Sequence, residues 1–177
     1  ATSHEARSRR RETLLAALSI NGVTSAVNTA ERWLDIAKKD AEALTAERDL
    51  EERNAALRTM GLQPGDAIPN NMKSDLKALE EAQKRRATRS LRDGIDRILV
   101  DLLSLYRDVL TLQINAQTPL INAELLSQIT EAAHLTTPAQ TIEKLDAIAK
   151  ARLRIDRNVR DLMVLESLGV SLRIKRG

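Results

Sequence analysis

Between Glu80 and Gln113, Leu91, Ile95, Ile98, Leu102, Leu105, Val109 and Leu112 recur at alternating steps of four and three. That spacing predicts one unbroken apolar stripe along a helix. Just upstream, Lys84, Arg85, Arg86, Arg89 and Arg92 crowd into nine residues with no acid among them. A single long helix, buried at one end and basic at the other, is therefore expected. The same spacing recurs elsewhere. Val23, Val27, Ala30, Leu34, Ala37, Ala41 and Leu44 follow a coiled-coil seam, with Trp33 beside it as a core residue. Leu14, Leu15 and Leu18 mark the buried patch of a first helix, opened by a Thr2–Glu5 capping box and broken at Asn21-Gly22.

The remaining elements carry clearer punctuation. Pro119 breaks the chain, and Asn122 reads as the N-cap of a short helix with Leu125, Leu126 and Ile129. Thr137, Pro138 and Gln140 supply an N-cap, a first-turn proline and a capping-box partner. Behind them Ile142, Leu145, Ala149 and Leu153 define the apolar face of a helix running towards Asn158. A last helix holds Leu162, Leu165 and Leu168, is stopped by Gly169, and leaves the basic tail SLRIKRG frayed.

The segment Glu47–Arg58 is nearly all charged, with Leu50 and Leu57 its only large apolar side chains, so it has little to bury. Gly61 to Asn71, with Pro64, Gly65 and Pro69, is the clearest loop. A helix from about Asn71 or Ser74 to Gln113 would span about 60 Å at 1.5 Å per residue, wider than most domains of this size. The expected fold is all-α: a bundle of five to six helices in a single domain over residues 1–177. Residues 45–88 would form a long antiparallel hairpin projecting from it.

Composition supports this. Aromatics are 1 % with no Phe, so Leu, Ile, Val and Ala must fill the interior, which suits helix-on-helix packing. The chain has no cysteine, hence no disulfide, thiol nucleophile or thiolate metal site. It has no apolar run near a membrane span and no apolar leader, so a cytoplasmic protein without membrane contact is expected. It opens inside a helical pattern without Met, and a longer parent protein is expected. The net charge of +3 permits nucleic-acid binding without arguing for it.

Candidate chemistry is sparse. There is no P-loop or glycine-rich dinucleotide turn. Glu131 and His134 have the Glu-x-x-His spacing of di-iron bundles, but such sites need two copies and further glutamates. Two histidines and no cysteine give no nucleophile–base pair. The chain does not read as an enzyme, and no cofactor, metal or small-molecule ligand is expected. Arg7, Arg9, Arg10 and Arg11 read as a solvated face, with an acidic partner or preceding domain as the alternative. Tyr106 reads as a core aromatic with a hydrogen-bonded hydroxyl. For Lys84, Arg85, Arg86, Arg89 and Arg92, three readings stand: a nucleic-acid handle, contact with an acidic protein surface, or plain solvation.

Leu79–Leu110, LEEAQKRRATRSLRDGIDRILVDLLSLYRDVL, closely resembles the C-terminal domain of the DNA polymerase III delta-prime subunit in its actinobacterial branch. RSRRRETLLAAL (Arg7–Leu18) resembles the join from that subunit's ATPase-like module, and AEALTAERDLEER (Ala41–Arg53), LDAIAKARLRIDRNV (Leu145–Val159) and the segment Leu162–Leu168 resemble other parts of the domain. The resemblance implies a helical collar domain of a clamp loader, packed beside the collars of the other subunits. ATPase-like domains would precede it. It implies no catalytic residue in this chain. The long hairpin and the ending GVSLRIKRG depart from the family pattern.

Overall fold

A computed structural model describes residues 3–157 and 159–175. Among them lie six α-helices and no strand: α1 Ser3–Leu18, α2 Val23–Thr59, α3 Lys73–Gln113, α4 Leu126–Leu135, α5 Pro138–Asp156 and α6 Asp161–Leu172. Short 3-10 turns at Asn70–Met72 and Ala123–Leu125 lead into α3 and α4. The all-α expectation holds. Thr2, the expected capping partner of Glu5, lies outside the described residues, as does Asn158. The chain divides into two compact units, Ala1–Ala37 with Ile95–Gly177, and Lys38–Gly94, so α2 and α3 contribute to both.

In the larger unit the α3 stripe is buried at Ile95, Ile98, Leu102, Leu105 and Val109, widened by Leu99 and Tyr106. Facing helices contribute Leu14 and Ala17 from α1, Ala26, Ala30 and Trp33 from α2, and Leu165 and Leu168 from α6. α5 packs along α6, and α1 touches both α4 and α6. The Thr137–Gln140 capping box forms as expected, with Pro138 in the first turn of α5. Two residues past the end of α3, Asn115 has a φ of 54°, in the left-handed region. The Asn115 and Ala116 amides then donate to the carbonyls of Leu112 and Thr111, a Schellman closure.

Several helix faces differ from the sequence reading. In α2 the buried row is Ala26, Ala30, Trp33 and Ala37, while Val23 and Leu44 are exposed and Leu34 is half-buried. Trp33 draws its own side inward, because a buried indole removes more apolar area from water than the displaced valine or leucine. Its Nε1 donates to the Thr13 carbonyl at 3.2 Å. In α5 the buried row is Thr141, Lys144, Ile148, Ala151 and Ile155, and the expected Ile142 and Leu153 face solvent. Both rows have helical spacing, and the polar Thr141 and Lys144 disguise the true one.

Gly169 does not stop α6, which continues to Leu172. A Cβ at Gly169 would lie 3.0 Å from the Ala26 carbonyl oxygen and 3.2 Å from the Ala26 Cβ. The glycine is there to let the two helices approach. The tail is not frayed through residue 175. Leu172 and Ile174 are buried, and the Ile174 amide donates to the Ile20 carbonyl at 2.8 Å. Tyr106 is buried as expected, but its hydroxyl has no hydrogen-bond partner, and burial pushes the phenol well above its ordinary range.

The unit Lys38–Gly94 consists of the second half of α2, the loop and the first half of α3. Arg53 pairs with Glu80 at 3.2 Å, and Arg86 with Asp49 and Glu52. Partner numbers rise on one helix as they fall on the other, which defines antiparallel helices. Leu57 and Leu76 are its buried leucines near the tip. Gly61, with φ of 74°, ends α2, and the Leu62 amide donates back to the Leu57 carbonyl at 2.8 Å.

Candidate functional site

The structure separates Lys84, Arg85, Arg86, Arg89 and Arg92 of α3 into different roles. Arg86 is half-buried and turned towards α2, where its guanidinium meets the carboxylates of both Asp49 and Glu52. Beside it the Gln83 side-chain amide donates to the Asp49 carbonyl at 3.0 Å. The hydrogen bond to Arg86 holds the Glu52 carboxyl below its usual range, against the opposing effect of desolvation. The same bonds, to Glu52 and then Asp49, raise Arg86 further above the range in which it could lose its proton. Arg86 is thus a hairpin strut. Arg92 is half-buried and has interactions of its own.

Lys84, Arg85 and Arg89 are exposed and make no ion pair among the described residues. Arg85 and Arg89 stand one turn apart, where like charges repel by a few tenths of a kcal/mol. An anion placed over them would relieve that repulsion. Of the expected five-residue wedge, these three remain available for a partner.

The arginine cluster of α1 also splits. Arg7 and Arg11 are exposed, but Arg10 is not a solvated side chain. Its Nε donates to Asp101 Oδ1 at 3.1 Å, and its Nη2 to Asn122 Oδ1 at 2.6 Å and Ser104 Oγ at 3.3 Å. Its Nη1 lies 3.6 Å from the Glu124 carboxylate. Behind this contact sits Asp108, fully buried, which accepts from the backbone amides of Ile121 and Asn122 at 2.9 and 2.7 Å and from Asn122 Nδ2 at 2.9 Å. Asn122 does begin the short helical turn, but its side chain makes no cap hydrogen bond; it is spent on Asp108 and Arg10. A carboxylate whose lone pairs are filled by three donors is a structural brace. The signal in the sequence was one aspartate inside the apolar run Leu102–Leu110.

On the outside of α5, Ile142 is 49 % and Leu153 57 % exposed, with Ala149 between them on the same face by helical spacing. Close by in sequence, Val159 and Met163 are also exposed. Arg152, beside Leu153, reaches Asp96 of α3 through two hydrogen bonds of 2.8 and 3.1 Å, which fixes α5 against α3. Glu131 and His134 are exposed on α4, and no group of three or more metal-ligating side chains gathers among the described residues. No helix among them is long and apolar enough to cross a membrane.

No protein-family model, curated protein or solved structure matches this chain.

Proposed function

We propose that this chain is a non-catalytic assembly module, the collar of a DNA polymerase III clamp-loader subunit of the delta-prime type. Its role would be to help hold together the cytoplasmic complex that loads the sliding clamp during DNA replication. The observation that carries the reading is the apolar row left outside on α5. Ile142 and Leu153 sit about half in water on a helix already anchored by its opposite face. Covering each would contribute about 1 kcal/mol, half the value of full burial. The partner is the collar helix pair of a neighbouring clamp-loader subunit. The resemblance over Arg7–Leu168 supplies the identity of that neighbour.

The test is co-elution on a sizing column with the remaining clamp-loader subunits. Wild-type chain is expected in the complex, and Ile142→Glu with Leu153→Glu is expected to leave it while retaining its helical circular dichroism. Wild-type chain running alone would overturn the proposal.

A second reading, nucleic-acid contact, is favoured by Lys84, Arg85 and Arg89 standing exposed without ion pairs. These would meet backbone phosphates, giving a salt-dependent contribution without sequence preference. Reversing the charge at Arg85 and Arg89 should then weaken DNA binding at least tenfold. Unchanged affinity would remove this reading.

A further inference from the structure

Lys144 is the one lysine buried in the described chain, only 7 % exposed, and it has neither an ion pair nor a hydrogen bond. Its stem is buried, while its ammonium is not among the buried side-chain atoms left without a partner, so the charge keeps an opening to solvent. Lys144 lines a cleft of about 300 Å³ where the first turns of α5 meet the end of α6 and the segment after it. Arg173 and Lys175 line the same cleft, together with the polar side chains of Gln140 and Ser171. Glu143 is its only carboxylate among the described residues.

The backbone explains how the two tail cations come to be there. Ile174 is buried and its amide is bonded to the Ile20 carbonyl, so the tail is fixed in register. In an extended segment the neighbours of an inward residue point the other way, which turns Arg173 and Lys175 outward together. Arg173 makes one side-chain hydrogen bond, to the Val170 carbonyl at 3.2 Å, which neutralises none of its charge. Among the described residues, three cations against one carboxylate leave an excess of two positive charges around a concave surface.

We propose that Lys144, Arg173 and Lys175 form an anion site matched to a phosphate monoester dianion, with the Gln140 side-chain amide as an additional hydrogen-bond donor. Arg173 supplies a planar fork of donors and Lys144 a compact charge from below. The surroundings of Lys144 agree with this. Desolvation lowers its basicity, Glu143 opposes that effect, and the Arg173 charge adds to it. A bound dianion would reverse the balance. The site is separate from the α5 face carrying Ile142 and Leu153 and does not depend on how that face is used.

The experiment is a calorimetric and NMR titration of the full chain with inorganic phosphate at constant ionic strength, with dimethyl phosphate as a monoanionic comparison. Saturable phosphate binding is expected, with amide shifts at Gln140, Ser171 and Lys175 and dimethyl phosphate at least tenfold weaker. Lys144→Met, which keeps the buried stem, should lose binding at least tenfold. Arg173→Gln, an exposed change with little risk to folding, should lose it severalfold, while Arg89→Gln should bind as wild type. Absence of saturable binding, equal binding of the diester, or wild-type affinity in Arg173→Gln would each overturn the proposal.

Discussion

Asp108 illustrates how much one buried residue holds. Replacing it with alanine removes the acceptor of the Ile121 and Asn122 amides, paired to it at 2.9 and 2.7 Å, and leaves the Asn122 side-chain amide with Ser104 alone. An unsatisfied buried donor costs about 1–3 kcal/mol, so urea unfolding of Asp108→Ala should show a loss of about 2–3 kcal/mol. A loss under about 1 kcal/mol would mean water replaces the carboxylate. Tyr106 should behave in the opposite sense. Its hydroxyl is buried without a partner, and Tyr106→Phe removes an unpaid desolvation, so a gain of about 1 kcal/mol is expected in the same assay. Gly169→Ala sets helix propensity, favourable by about 1 kcal/mol, against a methyl 3.0 Å from a carbonyl oxygen that cannot move cheaply. Strain of about 1–3 kcal/mol should win, and thermal melting should fall. These roles were poorly legible beforehand. A lone aspartate, glycine or tyrosine in an apolar run has no periodicity, and its partners are distant in sequence.

Helices were legible as elements but less so as faces. The α3 stripe and the Thr137–Gln140 start of α5 could be read directly, because each was the only pattern its segment offered. On α5 two rows shared helical spacing, and the polar Thr141 and Lys144 belong to the inner one. Thr141 is tolerated there because its hydroxyl donates to Gln113 Oε1 at 2.7 Å, a partner that no local rule supplies. The basic run on α3 had the same difficulty: composition shows five cations, and only the facing helix shows that Arg86 is taken. That strut gives a pH prediction. Arg86 holds the Glu52 carboxyl below its unfolded value, so the stabilisation is present above the ordinary carboxylate range and disappears as pH falls through the folded value. Amide protection factors over residues 49–57 and 76–86 should therefore drop on acidification below about pH 4. In Arg86→Gln that acid-linked drop should be smaller.

At the scale of the molecule, the division into two units predicts uneven stability. The larger unit has a continuous core from Leu14 to Ile174, whereas Lys38–Gly94 relies on Ala41, Leu57, Leu76 and surface ion pairs. Such pairs contribute little in water. Native-state hydrogen exchange should show the tip between residues 54 and 80 opening at lower free energy than α3 beyond residue 95. Uniform protection along both long helices would refute this. The helical class was legible because a chain with almost no aromatics and few breakers has no other economical way to bury leucine. The two-unit division was harder to read, since α2 and α3 pass from one unit to the other without a break in helical pattern. The outward row on α5 was hidden for a related reason: an apolar row at helical spacing looks, in sequence, like core whichever way it faces.

The hydrogen bond between Ile174 and Ile20 has a mechanical meaning. It joins the last described turn of chain to the corner between α1 and α2, so residues 21 to 173 lie inside a closed loop of covalent chain and one clasp. Tension applied at the C-terminus is delivered first to that clasp and to the seats of Leu172 and Ile174, while α3 carries no load until they yield. A handle attached after Lys175 would thus report a small early rupture, followed by the main extension. A chain cut after Leu172 would lose that first event and transmit force straight into α6.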